Sequence, residues 1–383
     1  MKVTQIHDIV KSLRDQFLGT EEVTVVDSTN VVSTAKEILD RTDVDVVTKS
    51  LMDMVGKQVF VDRKWKVKVP SVYMDSWDYG SILEKIEAST PEFEVNKAWD
   101  LNDGQEYKTN IYHGTKAKAR FFNNKTTFSL DASFAKRQIH SAFVSEGAMR
   151  GFFSMLETNI ENAMSVALAE LIMDTINTMI ARTLINEFPD ANYNAKSTIK
   201  AVNLLSLYNA KFATSLTPAK ALTTPEFIRF AVMTLKLYID RIGTPSTLFN
   251  IGGCKRQTLD DRLKVVLLSE FKTSAEVYLQ SDTYHNQYTA LPDADTVAYW
   301  QGSGKQYDFN STSAIKVKLD KKTVEAGGIL GIMFDREALG VSNIDRRVYS
   351  TFNESGEFYN NFYKADAGYF NDENENFVVF FIA

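Results

Sequence analysis

Residues 152–188 read FFSMLETNIENAMSVALAELIMDTINTMIARTLINEF, and Pro189 follows them. The stretch contains neither glycine nor proline, and apolar side chains recur in it every four residues. This spacing predicts a helix, and a second apolar row beside the first predicts a wide buried face. At about 1.5 Å per residue the helix would be roughly 55 Å long, more than a compact domain of this size needs. We therefore expect a spine that crosses the whole subunit, with other elements packed over it.

An ordinary buried helix that breaks somewhere within residues 152–188 is the alternative to this spine. A coiled coil is disfavoured, because the heptad register is not kept and the flanking charges are not regularly paired. The two apolar rows on which the prediction depends are Phe152, Leu156, Ile160, Met164, Leu168, Ile172, Ile176, Ile180 and Leu184, and beside them Phe153, Ala163, Ala167, Leu171 and Met179.

The composition is that of a globular protein, with 44% hydrophobic and 24% charged residues among 383. This length suits about two or three lobes. The net charge of -6 argues against a chain whose main task is to neutralise nucleic acid. Cys254 is the only cysteine, so an internal disulfide framework is excluded. No uninterrupted apolar run reaches the roughly 18 residues that cross a bilayer, so we expect no membrane segment.

The first 55 residues are expected to form short helical pieces separated by polar breaks. Ile6, Ile9 and Leu13 share one face of the first piece. None of these pieces is long enough to bury a core of its own. We therefore expect this segment to lie either on its own subunit or on a neighbouring chain.

Residues 80–130 are predicted to form a long two-stranded excursion. Ala117, Ala119 and Phe121 alternate with lysine and arginine, and residues 127–130 are expected to bring the chain back. The excursion is polar on one side and thinly apolar on the other. Because two strands alone are at best marginally stable in water, it needs another surface, and a partner subunit is the natural candidate. A hairpin lying flat on its own domain is the alternative.

Residues 190–326 are expected to form a mixed α/β lobe, with a helix starting at Thr224-Pro225-Glu226. The last segment is rich in predicted strands. Two continuous apolar runs within it, 329–334 and 377–382, have the length of buried strands. Together with the spine these features predict an α+β protein.

A search for chemistry yields no catalytic, cofactor or metal site. No histidine has another histidine or a cysteine at metal-ligand spacing. Gly302-Ser303-Gly304-Lys305 partly matches a phosphate-binding loop, but Tyr299 and Gln306 stand where that motif needs glycine and serine or threonine. Cys254 is interpreted as structural. The acidic run of residues 372–375 is interpreted as a solvated hairpin tip.

Three stretches resemble coat proteins of bacteriophages: PSVYMDSWDYGSILEKI (70–86), FNNKTTFSLDASF (122–134) and GGILGIMFDREALGV (327–341). With the order of parts along the chain, they resemble the major capsid protein of tailed double-stranded DNA bacteriophages, with the Hong Kong 97-type fold. The resemblance covers essentially the whole chain. It implies an N-terminal arm at 1–56, an E-loop at 78–128 and an A-domain at 190–326. It also implies a P-domain made of 57–77, 129–189 with the spine helix, and the return strands 327–383.

The resemblance implies a structural protein without catalysis, cofactor or membrane. Its copies would form hexamers and pentamers that close an icosahedral shell around packaged double-stranded DNA, without sequence-specific binding. A scaffolding protein and a portal are implied as partners, with decoration proteins as a further candidate. The implied location is the virion, after assembly in the host cytoplasm. The side chains expected to contact neighbouring subunits are Trp99, Leu101, Tyr107, Ile111 and Tyr112 on the E-loop, and Ile6, Ile9 and Leu13 on the arm.

Two departures from the family pattern matter. The chain lacks the long charged scaffolding segment with which some members begin, which implies a separate scaffolding protein. No donor and acceptor for an isopeptide cross-link can be matched, so none is expected. The alternative is a mixed α/β enzyme or binding protein with an unrecognised site, which a pocket holding a perturbed acid or base would favour.

Overall fold

A computed structural model describes these parts of the chain: residues 3–17, 34–35, 37–38, 50, 70–74, 83–88, 99–104, 114, 117–138, 146–190, 192, 197–280, 293–301, 309–319 and 322–383. The named helices in this part are α1 (Val3–Phe17), α2 (Glu146–Glu187), α3 (Leu204–Phe212), α4 (Pro218–Ala221), α5 (Pro225–Ile242), α6 (Ser269–Gln280) and α7 (Phe309–Thr312). The strands are β1 (Tyr73–Met74), β2 (Leu83–Ala88), β3 (Ala117–Phe122), β4 (Asn124–Ala135), β5 (Ala201–Asn203), β6 (Leu263–Leu268), β7 (Asp295–Val297), β8 (Ile315–Leu319), β9 (Lys322–Ala326), β10 (Ile329–Asp335), β11 (Leu339–Asn353), β12 (Phe358–Asn371) and β13 (Phe377–Phe381).

Helix α2 is the predicted spine, and it is continuous over 42 residues. It therefore confirms the spine and excludes the broken helix. Its C-terminal half is buried most deeply, with Leu168, Ile176 and Ile180 fully enclosed. It packs against strands of three different sheets, among them β13, β11 and β8. The winding apolar stripe thus meets a different neighbour at each level of the subunit.

One segment of α2, residues 158–187, is long and apolar enough to cross a membrane by length and composition. The segment is not an uninterrupted apolar run, because Glu161, Glu170, Asp174 and Arg182 lie within it. The segment is also mostly buried inside the protein. Its contacts with the strands account for its apolar side chains, because the core helix of a folded protein has the same composition as a membrane span.

The central sheet has the strand order β5-β13-β10-β6-β7. Strand β10 lies in the middle and runs antiparallel to both β13 and β6, while β5 and β7 are parallel to their neighbours. Every residue of β10 and β13 is buried, as the two continuous apolar runs predicted. Gly331 allows close pairing here, because a Cβ at this position would lie 2.6 Å from Leu267 Cδ2 and 2.8 Å from the Val266 carbonyl oxygen.

A second sheet has the order β1-β11-β12-β4. Strands β11 and β12 form a long hairpin, and β4 runs antiparallel to β12 along most of its length. One face of this sheet carries α2, which packs against β4, β11 and β12. The remaining strands of the described part form two antiparallel pairs, β2 with β3 and β8 with β9.

The four strands of the predicted return segment, 327–383, divide between the two large sheets. Strands β10 and β13 pair with strands of the 190–326 lobe, whereas β11 and β12 pair with each other and with β4. The predicted domain boundary at residue 327 therefore does not coincide with the edge of a sheet. The α+β class itself is confirmed, with strands and helices mixed along the chain.

Candidate subunit contact surface

The excursion predicted at 80–130 contains an antiparallel hairpin made of β2 and β3. Leu83 lies opposite Phe122, and Ile86 lies opposite Ala119. The expected return strand at 127–130 is not part of this hairpin. It belongs to β4, which pairs with β12 in the second sheet. The hairpin is therefore two strands wide, and the chain leaves it directly for the body of the subunit.

The inner face of the hairpin lies on its own subunit. Alternate residues of the two strands are partly buried, as expected where only one face of a strand pair is covered. The ring of Phe122 lies 5.3 Å from that of Phe370 on β12, centroid to centroid. Lys85 Nζ lies 5.1 Å from the same Phe370 ring and donates a hydrogen bond of 2.6 Å to the Glu337 carbonyl oxygen. This face of the hairpin therefore lies on its own subunit, as the alternative to a partner subunit predicted.

The inner face ends at a buried carboxylate on the turn between β12 and β13. Asp372 is 2% exposed, and it accepts hydrogen bonds from Arg120 Nη1 at 2.8 Å and from Lys85 Nζ at 3.2 Å. Lys85 and Arg120 are directly opposite each other in the hairpin. One carboxylate therefore receives a cation from each strand.

The rest of the acidic turn is also paired. Glu373 lies 2.7 Å from Arg182 on α2, and Glu375 lies 3.4 Å from Arg256. Asp372, Asn374 and Glu375 are buried, so the interpretation of residues 372–375 as a solvated hairpin tip is wrong. The physical reason is that cations from three distant segments surround the turn, and together they offset the cost of burying its charges.

A network of hydrogen bonds supports this turn from the loop between α5 and β6. Asn376 Nδ2 donates to Thr258 Oγ1 at 3.1 Å, and Thr258 Oγ1 donates to Asp335 Oδ2 at 2.9 Å. The Gly252 amide donates to the Glu373 carbonyl oxygen at 2.8 Å. Gly252 is needed at this contact, because a Cβ there would lie 1.8 Å from Asn374 Oδ1. Hydrogen bonds from this loop thus fix the position of the acidic turn.

Cys254 lies in the same loop and is half-buried. Its amide donates to Asn250 Oδ1 at 2.8 Å, and the Asn250 side chain donates back to the Cys254 carbonyl oxygen at 2.7 Å. The residue thus closes a tight loop through its backbone, in keeping with the structural interpretation.

The outer face of the hairpin is exposed, and it carries two large apolar side chains beside the exposed Glu84. Ile86 is 72% exposed and Phe121 is 63% exposed, with the exposed Ala119 between them. Of the predicted E-loop contacts, Trp99 is 96% exposed and Leu101 is 65% exposed. Large apolar side chains that share an exposed face mark interaction sites more often than scattered ones do.

The other predicted contact residues have different outcomes. Tyr107, Ile111 and Tyr112 lie outside the described residues. Ile9 and Leu13 are 5% and 2% exposed, and α1 packs against α2. They offer almost no surface to a neighbour, so they leave the set of proposed contacts, and α1 rests here on its own subunit. For Ile6 the structure describes the helical backbone but not the side chain.

Sequence reasoning did not select Ile86 and Phe121 as contacts. The signal was present for Phe121, which alternates with lysine and arginine in residues 116–121. The alternation did not show which side would lie on the chain's own subunit and which would be left for a partner. In the structure the cationic side lies on its own subunit, because Asp372 and Phe370 lie beneath it.

A cavity of about 460 Å³ lies beside the hairpin, and both cationic and anionic side chains line it. Lys255, Gln257 and Arg262 line this cavity. The paired side chains of the hairpin and of the acidic turn also line it. Arg262 is itself paired, with Asp335 at 3.0 Å and with Glu337 at 3.2 Å. Within the described residues, no group of three or more histidine, cysteine or acidic side chains could hold a metal ion. The arrangement is therefore suited to holding segments together.

Burial raises the pKa of Glu375 above the usual value of 4.5, and the attraction of Arg256 lowers it in part. The ionised form of Glu375 therefore destabilises the folded state relative to the protonated form. The folded chain thus holds this proton more tightly than the unfolded chain. The contribution of Glu375 to the free energy of unfolding therefore falls as the pH rises past the usual glutamate range.

Glu375→Gln should remove this pH-dependent cost. The melting temperature of the variant should rise relative to the wild type as the pH is raised from about 4 towards neutrality. Thermal unfolding at a series of pH values measures this difference. At acid pH both side chains are neutral, so the two proteins serve there as each other's control. A constant difference across the series would contradict the assignment.

A sequence profile of the family described as Phi29-like phage major capsid protein matches residues 6–381. No curated protein matches the sequence. Among solved structures, the capsid of Staphylococcus phage Andhra is similar over 83% of this chain and 86% of that chain, at 10% identity and a TM-score of 0.48. The capsid of cyanophage P-SCSP1u is similar over 85% and 92%, at 9% identity and a TM-score of 0.44.

Proposed function

The chain belongs to the Phi29-like phage major capsid protein family, and we propose that its copies assemble as hexamers and pentamers into the icosahedral shell of a phage head. As a member of this family it is a structural protein of the capsid and a component of the virion. Self-association is its principal interaction. The helices α1 and α2 and the hairpin β2–β3 support this proposal, because they fall within the residue ranges for which the resemblance implies an arm, a spine helix and an E-loop.

The observation that carries the proposal is the two-faced hairpin β2–β3. Its inner face is held to its own subunit by Asp372 and Phe370, so the outer face points away from the body. That outer face carries Ile86 and Phe121. A second copy of the chain is the partner that would cover this apolar face, and in a shell every copy supplies one such face and receives another.

The remaining partners are part of the same proposal. The shell encloses double-stranded DNA without sequence-specific binding. The net charge of -6 agrees with this, because a protein that bound DNA mainly by neutralising its phosphates would carry a positive charge. A separate scaffolding protein and a portal take part in assembly in the host cytoplasm, and decoration proteins are a further candidate.

We assign the protein no catalytic activity. A cluster of ionisable side chains lies around the acidic turn, and its carboxylates are paired with Lys85, Arg120, Arg182 and Arg256. Such pairing holds segments together. It gives no support to the alternative of an enzyme or binding protein with an unrecognised site.

The test compares assembly of the wild type with that of the double variant Ile86→Ser and Phe121→Ser. The wild type should form rings or shells as its concentration rises, with scaffolding protein supplied if needed. The double variant should remain small, because it lacks the apolar area that a neighbour would cover. Sedimentation velocity and negative-stain electron microscopy measure both. Lys118→Ser, an exposed change on the opposite face of β3, is the matched control and should assemble normally.

A wild-type chain that stays monomeric at every concentration and salt, with scaffolding protein present, would contradict the proposed function. If the double variant forms normal shells, the protein still assembles, but Ile86 and Phe121 do not contribute to the contacts between subunits.

A further inference from the structure

The hairpin β2–β3 contacts the rest of its subunit through a few described side chains of its inner face. Two charged contacts of its inner face meet at Asp372, which receives Lys85 from one strand and Arg120 from the other, and Lys85 Nζ also lies 4.0 Å from Glu337 Oε2. Lys85 also bonds the Glu337 carbonyl oxygen, and Phe122 meets Phe370. An isolated two-stranded hairpin is marginally stable in water, so these contacts determine whether the hairpin stays ordered and where it points.

Asp372 is an unusual anchor because its own position is fixed from several directions. Its amide donates to the Ala338 carbonyl oxygen at 2.7 Å, and its Oδ1 accepts the Asn374 amide at 3.1 Å. The next residue, Glu373, is paired with Arg182 of the spine helix. The hairpin is thereby coupled through one turn to the spine and to the central sheet, which β13 joins directly after the turn.

The energetics favour an all-or-none attachment. Asp372 is almost fully buried, so its negative charge needs the cations that the hairpin brings. Lifting the hairpin would remove both cations together, and water would have to replace them at a carboxylate that is 2% exposed in the attached state. The side chains of Lys85 and Arg120 are 20% and 39% exposed, so added salt should weaken the attraction in part.

We infer that Asp372 is an electrostatic latch, which holds the β2–β3 hairpin on its own subunit and thereby sets the direction in which Ile86 and Phe121 face. The role of the latch in shell formation rests on the proposed function. The latch itself is a property of the single subunit. Loss of the Asp372 charge, or of the Arg120 charge that meets it, releases the hairpin while the sheets stay intact.

The test is hydrogen exchange of the unassembled full-length subunit, followed by mass spectrometry. In Asp372→Asn the amides of residues 83–88 and 117–122 should exchange about tenfold faster than in the wild type, since the released hairpin opens more often. Amides of β10 and β13 should be unchanged. Glu373→Gln is the matched control, because it removes the same charge from the adjacent residue, whose partner is Arg182 instead of the hairpin.

Arg120→Gln provides an independent arm if Asp372→Asn does not fold. Its side chain is partly exposed, and it should accelerate exchange of the same amides. Unchanged hairpin exchange in the variants that fold, or equal acceleration in Glu373→Gln, would overturn the latch. These readouts use single subunits, so failure of the latch would leave shell formation by the wild type unaffected. Failure of the wild type to assemble would in turn leave the exchange result standing.

Discussion

Leu168→Pro should abolish the soluble subunit. Leu168 is fully buried near the middle of α2. Proline there removes a helical hydrogen bond and clashes with the preceding turn, at a cost of about 3 kcal/mol or more before any packing is lost. A typical domain is stable by only about 5–15 kcal/mol. Because α2 packs against strands of three sheets, a break in it disturbs the whole core. Expression followed by separation of the soluble and insoluble fractions measures the effect.

Glu146→Pro is the control for the Leu168→Pro experiment. Glu146 is the first residue of α2, where proline lacks only an amide that has no partner within the helix. This variant should remain soluble and give the circular dichroism of the wild type. A soluble Leu168→Pro protein with an unchanged spectrum would show that the spine is not the element on which the fold depends.

Replacing residues 99–112 by a short glycine-rich turn should stop the formation of closed shells and leave the subunit folded. Trp99 and Leu101 are 96% and 65% exposed, so they bury little surface in their own subunit. Their removal therefore costs the monomer little packing, and a shorter loop is also slightly easier to close. We expect a nearly unchanged melting temperature by calorimetry, together with open or irregular assemblies in negative-stain images.

A glycine-serine segment of the original length is the matched control for this replacement. It keeps the reach of the loop and removes its side chains, so failure of both variants would assign the effect to the side chains. Unfolding of the subunit would instead make residues 80–130 part of the core. Normal shells from both variants would mean that the tip does not take part in assembly.

The sequence determined the parts of this fold that depend on local pattern. The four-residue apolar spacing of residues 152–188 specifies a helix because each turn repeats the same face, and α2 is continuous there. The apolar runs at 329–334 and 377–382 specify buried strands in the same way. The resemblance carried by three short stretches was sufficient to indicate the family. For the contact surface, the pattern predicted a hairpin with one thin apolar side, and exposed side chains at Trp99 and Leu101.

The tertiary structure alone decided which side of the hairpin is covered and what the acidic turn does. Lys85 and Asp372 are 287 residues apart, and Arg120 and Asp372 are 252 apart. No periodicity within a window of a dozen residues carries such a pairing, so four consecutive polar residues suggested a solvated tip. The same limit applies to Ile9 and Leu13, whose apolar face is equally suited to the subunit's own spine or to a neighbour. Which surface a patterned face meets depends on the packing of the whole chain, because burial is set by partners that the local sequence does not contain.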